Sequence, residues 1–369
     1  MDGPTSPSCL LITRSGARFE QQEVDMTITV IGLDLAKNVF QVHGIDENGR
    51  VVLRRKVRRS DVLPLFCQLT PALVGMEACH TSHYWAREIA KFGHDVRMMP
   101  AQFVKPYVKS QKNDATDAEA ICEAVQRPTM RFVPVKSKNQ QAALMLHRTR
   151  DLLVRQRSSL ISSIRAHFAE FGIVVGQGIR NVERLLALLG AEGDKRLPAL
   201  AAEMLGVLAE QLREIAARVR EVEIKLLAWH RANPVSRRLE SIPGVGPITA
   251  SAIIATVGDP RQFKSGRQFA AWLGLVPQQR SSGGKERLGG ISKRGDGYIR
   301  RLLVHGARAI VGWRKRSAKH VTPWIARLLE RRPMNVATVA YANKLARIAW
   351  AIMSHEDRYN PARAFAEVA

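Results

Sequence analysis

A chain of 369 residues exceeds the size at which one hydrophobic core usually keeps growing, so two or three domains are expected. Its 46% hydrophobic content excludes a chain disordered over most of its length. The 57 Lys and Arg residues against 33 Asp and Glu leave a formal charge of +24, so a polyanion is the expected partner.

Residues 1–25 show no clear periodicity and read as a flexible leader without an assigned function. The apolar patch from Cys9 to Ile12 has no basic region before it, so no secretion signal is read there. No run approaches the roughly 18 apolar residues of a membrane span, which predicts a cytoplasmic protein without a membrane partner. Cys9, Cys67, Cys79 and Cys122 lie far apart with no CxxC pair, which argues against zinc knuckles and a disulfide framework.

From Thr27 the β-branched and apolar residues of TITVIGLDL predict a strand, followed by VFQVHGID, a turn at Glu47-Asn48-Gly49, and VVLRRKV. A helix over 60–69, the buried-type run ALVGMEAC, a helix over 84–92, the strand DVRMMP and helical stretches reaching 126 follow. The order βββαβαβα over residues 26–134 predicts an α/β domain with a mixed sheet and helices on its faces.

Residues 135–233 change to helical periodicity. Leu146, Leu153 and Leu160 recur every seven residues, and Leu205, Leu208, Leu212, Ile215, Val219, Val222 and Leu226 form a sustained heptad seam. Two long helices around a Gly-containing stretch at 171–178 fit an antiparallel hairpin, an interchain coiled coil in a homodimer or homotetramer, or ordinary amphipathic helices packed in their own domain. Pro234 ends this region. A mainly α region with Gly-rich joints covers 234–355, and 356–369 form a tail.

Four acids stand out by position: Asp34 in the first strand, Glu77 in the fourth, and Asp114 with Asp117 where KNDATDAEAI enters a helix. A charge within a strand's apolar run is costly to bury without a partner. Asp114 and Asp117 share a helix face, and a sheet of this order brings its first and fourth strands side by side. Such an oxygen cluster suits Mg²⁺ or Mn²⁺ acting on a phosphodiester. Singly, Asp34 also fits an edge strand, Glu77 a buried Arg partner, and Asp114 a helix cap with Asp117 in the first turn.

Arg148, Arg150, Arg155, Arg157 and Arg165 form a basic strip opposed only by Asp151, suited to a phosphate backbone, although a charge run is also an ordinary solvated face. Pro243-Gly244-Val245-Gly246 resembles a helix-hairpin-helix turn, in which Gly244 and Gly246 let backbone amides approach phosphate; a plain Gly-rich connection competes with it. Between Arg280 and Lys319, twelve Lys and Arg residues face two acids, Glu286 and Asp296. In that span Ser281 and Ser282 precede Gly283-Gly284, with Lys285, Arg287, Lys293 and Arg294 able to stabilise a phosphate. On local sequence alone, serines in such a loop simply bind phosphate.

The GLDLAKN, GMEAC and KNDATDAEAI segments resemble the DEDD motif of the Piv/MooV-like insertion-sequence transposases, over nearly all the chain after Met26. That resemblance implies a first domain similar to the Holliday-junction nuclease RuvC, with Asp34, Glu77, Asp114 and Asp117 as its four acids. SSGGK followed by GGISKRGD resembles the family's C-terminal motif, which implies a serine bonded covalently to DNA: Ser282, with Ser281 the alternative. It further implies a bacterial, nucleoid-associated recombinase acting on donor and target DNA, guided by a structured noncoding RNA. A junction nuclease using metal-activated water, and a non-catalytic nucleic-acid-binding protein, are the competing functions.

Overall fold

The computed structural model describes residues 27–109, 113–190, 194–313 and 322–362; the leader at 1–25 lies outside them, as do 363–369. The chain forms two compact units, Met1–Ser137 and Lys138–Ala369.

In the first unit, β1 (Val30–Asp34), β2 (Val39–Ile45) and β3 (Val51–Arg58) form an antiparallel meander. Helix α1 (Val62–Gln68) leads to β4 (Leu73–Glu77), and α2 (Ser82–Ala90) leads to β5 (Asp95–Met99). The sheet order is β3-β2-β1-β4-β5, with β1–β4 and β4–β5 parallel, so the expected mixed sheet is present. A short helix α3 (Ala101–Val104) then precedes α4 (Asp114–Val125).

Side chains alternate across a strand, and this sheet has a core on each face. Ile31, Leu33, Phe40, Val42, Val57, Val74 and Met76 pack with Val62, Phe66, Trp85 and Ile89 of α1 and α2. Val30, Ile45 and Met99 pack on the opposite face with Ile121, Ala124 and Val125 of α4. Two glycines let α4 lie directly on that face. A Cβ at Gly32 would stand 2.1 Å from the Ala118 carbonyl oxygen, and one at Gly75, its neighbour in register, 2.8 Å from Val125 Cβ.

The second unit opens with two long helices, α5 (Lys138–Glu170) and α7 (Ala199–Ala232), with α6 (Ile179–Ala187) between them. Ile164 and Phe168 near the end of α5 pack with Leu205 and Leu212 near the start of α7, while Arg150 pairs with Glu223 at 2.7 Å. The helices are therefore antiparallel within one chain. Of the heptad positions, Leu205, Leu212, Ile215, Val219 and Leu226 are buried. The seam is thus covered intramolecularly, as the hairpin alternative requires, and no second chain is needed to bury it.

Helices α8 (Pro234–Glu240), α9 (Pro247–Val257) and α10 (Gly266–Trp272) follow, then the hairpin β6 (Pro277–Gln279) and β7 (Leu288–Ile291). Helices α11 (Gly297–Trp313), α12 (Pro323–Arg331) and α13 (Met334–His355) complete the unit. Leu239, Ile253, Phe269, Leu303, Tyr341 and Leu345 share its core. Where α7 meets α8, His230 Nδ1 lies 2.8 Å from Ser236 Oγ and its Nε2 lies 2.9 Å from Glu240 Oε2. This serine–histidine–carboxylate chain is a joint between helices, because Ser236 is wholly buried and offers its hydroxyl to no substrate. Among the described residues, no helix is long and apolar enough to cross a membrane.

Candidate nucleic-acid processing site

Asp34 ends β1 and Glu77 ends β4, on the face that Gly32 and Gly75 open to α4. Asp114 and Asp117 occupy the first turn of α4, whose N-terminus points to the same strand ends. The capping role belongs to Asn113: its side chain accepts from the Thr116 N–H at 2.9 Å, and the Asn113 N–H donates to Thr116 Oγ1 at 3.2 Å. Asp114 and Asp117 are thereby left out of the cap.

The other three acids act on Asp34. The Asp34 carboxyl is pushed up to about 6, first by burial and then by the charges of Asp117, Asp114 and Glu77. An Asp34 carboxyl with three further oxygen-donor side chains near enough to act on it matches the chemistry of a hard divalent cation. Among the described residues, no three His, Cys, Asp or Glu side chains are drawn together as an ion's ligands.

The basic strip on α5 divides. Arg165 donates from Nη1 to Gly176 O at 2.7 Å and from Nη2 to Val175 O at 2.9 Å, so it holds the turn after its own helix. Arg150 is held by Glu223, and Arg155 lies 3.5 Å from Asp151. Asp151 also pairs with Arg301. Arg148 and Arg157 form no ion pair among the described residues, and Arg148 is exposed.

The PGVG turn joins α8 to α9, but its glycines serve different ends. Gly244 has φ 94° and packs on α11, where a Cβ at Gly306 would stand 1.8 Å from the Gly244 carbonyl oxygen. Its lack of a side chain serves the packing against α11. Gly246 caps α9, is exposed, and has open space where a Cβ would project.

Ser281 and Ser282 sit at the tip of the β6–β7 hairpin. Gly283 and Gly284 both have positive φ, 56° and 75°, as a tight hairpin turn requires, and the Lys285 N–H donates to Ser282 O at 3.1 Å. The Arg287 N–H donates to Ser281 Oγ at 3.3 Å, whereas Ser282 lines a shallow groove with Arg280, Lys285 and Arg287. Just beyond, Lys293 adopts φ 55°, a left-handed backbone uncommon for a side-chain-bearing residue, and its N–H donates to Gly274 O. Asp296, counted from sequence as an opposing charge, accepts from the Tyr298 and Ile299 N–H groups and caps α11. Arg300 donates to Leu273 O and Arg294 O and is structural. The cations at 314, 315, 316 and 319 lie outside the described residues.

The sequence profile of the DEDD transposases of the IS110 type matches residues 31–173, a span that holds all four acids. The chain is an insertion-sequence transposase, a class of protein that cleaves and rejoins DNA. A second profile, that of the IS116/IS110/IS902 transposases, matches residues 236–322, and the chain belongs to this family. A protein described as a "Probable family 20 transposase" of Pseudomonas aeruginosa is 51% identical over 91% of this chain and 100% of its own length. The transposase for insertion sequence element IS1111A of Coxiella burnetii is 40% identical over 97% of this chain and 99% of its own. That for IS1328 of Yersinia enterocolitica is 40% identical over 88% and 96%.

Proposed function

We infer that this transposase cuts and rejoins the DNA of its insertion sequence by phosphodiester transesterification, using a divalent-metal carboxylate site and a serine nucleophile. The observation that carries the metal site is the raised Asp34 carboxyl among Asp117, Asp114 and Glu77. These four residues would hold Mg²⁺ or Mn²⁺, which when bound supplies Lewis-acid polarisation of a phosphoryl oxygen. Asn113, by taking the cap, leaves two of the carboxylates available for it.

Ser282 Oγ is the attacking group: an Oγ–P bond forms as a DNA P–O bond breaks, the hydroxyl proton leaves to water, and the departing DNA oxygen takes one up. Its place on an exposed tip beside Arg280, Lys285 and Arg287 favours it over Ser281, whose oxygen accepts a backbone hydrogen bond. Lys285 and Arg287 stabilise the phosphate charge in this scheme, with Lys293 and Arg294 nearby in the chain. An element-encoded RNA guiding the choice of DNA fits the surplus positive charge, with Arg148 and Arg157 as its first contacts on α5. A homodimer or homotetramer would supply the active sites that a strand exchange needs.

The test is denaturing electrophoresis after incubation with labelled donor and target DNA, Mg²⁺ and any element-encoded RNA. The wild type should retain label covalently, and Ser282→Ala should not. An adduct lost in Ser281→Ala and kept in Ser282→Ala moves the role to Ser281. Cutting by the double variant, without label on the wild type, makes water the nucleophile and overturns the serine mechanism.

A further inference from the structure

Strand β3 is the outer edge of the sheet, and its sequence VVLRRKVR contains no acid. Val57 is buried with Phe40 and Val42 beneath α1 and α2. By strand alternation Arg54, Lys56 and Arg58 therefore project to the opposite face, which is the face of α4. The register puts them in line with the carboxylates. Asp34 pairs with Gln41 and Gln41 with Lys56, while Gly32 pairs with His43 and His43 with Arg54. Two strand spacings separate Lys56 from Asp34, roughly 10 Å between backbones. Arg54 also reaches the α4 side electrically, being one of the charges that act on the buried His43 ring.

All three cations are exposed, and no salt bridge among the described residues takes them up. Their neighbour Arg59 is used differently: it stacks over Phe40 and Trp85 and donates to Lys37 O. Charges on an edge strand also discourage edge-to-edge pairing, but that role needs neither a single sign nor a single face. Here every charge that shares the carboxylate face of β3 is positive. Same-face residues are spaced about 6.7 Å along a strand, so the row is roughly 13 Å long and runs beside the site, with Lys56 level with Asp34 and Arg54 level with Gly32.

We propose that Arg54, Lys56 and Arg58 form a rail that binds the phosphates of the DNA strand whose scissile bond lies at Asp34, Glu77, Asp114 and Asp117. This rests on the carboxylate reading above. The rail neutralises the strand flanking the cut, and the acids beyond it repel that strand's phosphates until a cation is bound. The three are positioning residues and touch no reacting atom.

The experiment measures binding of labelled donor DNA by the full chain in EDTA, from about 50 to about 200 mM salt, where counterion release reports the number of phosphates contacted. Replacing the three together, Arg54→Gln, Lys56→Gln and Arg58→Gln, should reduce the steepness of log K against log salt by roughly two to three. Thermal unfolding should stay unchanged, because exposed side chains are removed. An unchanged salt slope overturns the proposal. If the triple variant does not melt cooperatively, Lys56→Gln alone replaces it, with a slope reduction of roughly 0.7 to 0.9 expected and no reduction overturning the proposal. A reduction seen with RNA of the same sequence but not with DNA overturns the assignment to DNA. Asp34→Asn runs in parallel: it should keep the wild-type slope and lose cutting in Mg²⁺, and cutting at the wild-type rate overturns the carboxylate reading, separately from the rail.

Discussion

Acidification should destabilise the helical unit through one imidazole, that of His147. The ring lies on α5, is 2% exposed, places Nδ1 3.2 Å from the Tyr298 hydroxyl on α11, and leaves Nε2 without a hydrogen-bond partner among the described residues. Burial first, and then the Arg150 guanidinium, lower its pKa from 6.5 to about 4. The folded state therefore refuses a proton that the unfolded chain accepts. Stability is complete above pH 6.5, falls as the pH drops from 6.5 towards 4, and falls no further through this group below that. A shift of this size corresponds to about 3 kcal/mol, which exposure does not discount in a ring this buried. Urea unfolding at pH 7.0 and pH 4.5 measures it, followed by tryptophan fluorescence, since five of the six tryptophans lie beyond residue 137. Carboxylates titrate in the same interval, so the decisive quantity is the difference between wild type and His147→Leu. The variant should be less stable at pH 7.0, because Tyr298 loses a partner, yet lose about 2 to 3 kcal/mol less on acidification. Equal losses in the two proteins would refute the reasoning.

Two further perturbations test the packing. Gly32→Ala forces a Cβ to 2.1 Å from the Ala118 carbonyl oxygen, so the first unit should lose about 2 kcal/mol or more, read by thermal unfolding; a wild-type melting curve would mean that α4 does not lie on β1. Leu212→Lys places an ammonium in the seam between α7 and α5, and should lower thermal stability by about 2 to 4 kcal/mol with the assembly size unchanged in light scattering. A smaller assembly at unchanged stability would place a second chain against the seam.

Period-two and period-3.6 patterning makes the meander, the mixed sheet and the long helices legible in the sequence. Position within those elements was enough to single out Asp34, Glu77, Asp114 and Asp117. What periodicity cannot give is the identity of whatever covers a face. The α7 heptads are satisfied by α5, although the same pattern serves a partner chain equally well. Arg150 and Arg165 look like members of a basic strip until Glu223 and the carbonyls at 175 and 176 are seen to hold them. Gly244 reads as a phosphate-facing glycine, and its packing against the helix carrying Gly306 has no signature in the local sequence. Arg54, Lys56 and Arg58 are hidden in the sequence by their interleaving with Arg55 and Val57. Strand alternation separates the two sets, and the register from Asp34 through Gln41 to Lys56 marks which one shares the carboxylate face.

The two sheet glycines turn α4 into a lever. Gly32 bears on Ala118 and Cys122 near the middle of the helix, Gly75 bears on Val125 at its far end, and Asp114 and Asp117 ride the opposite arm. At about 1.5 Å per residue, a pivot midway between Ala118 and Cys122 leaves an arm of about 8 Å to Val125, about 9 Å to Asp114 and about 5 Å to Asp117. Lifting the Val125 end by a fraction of an ångström swings the two aspartates by a comparable distance, and towards the strands. Bulk added at Gly32 raises the fulcrum and carries them away. The spacing of the four carboxylates is therefore adjustable in opposite senses from two sites that bear no charge and touch no substrate.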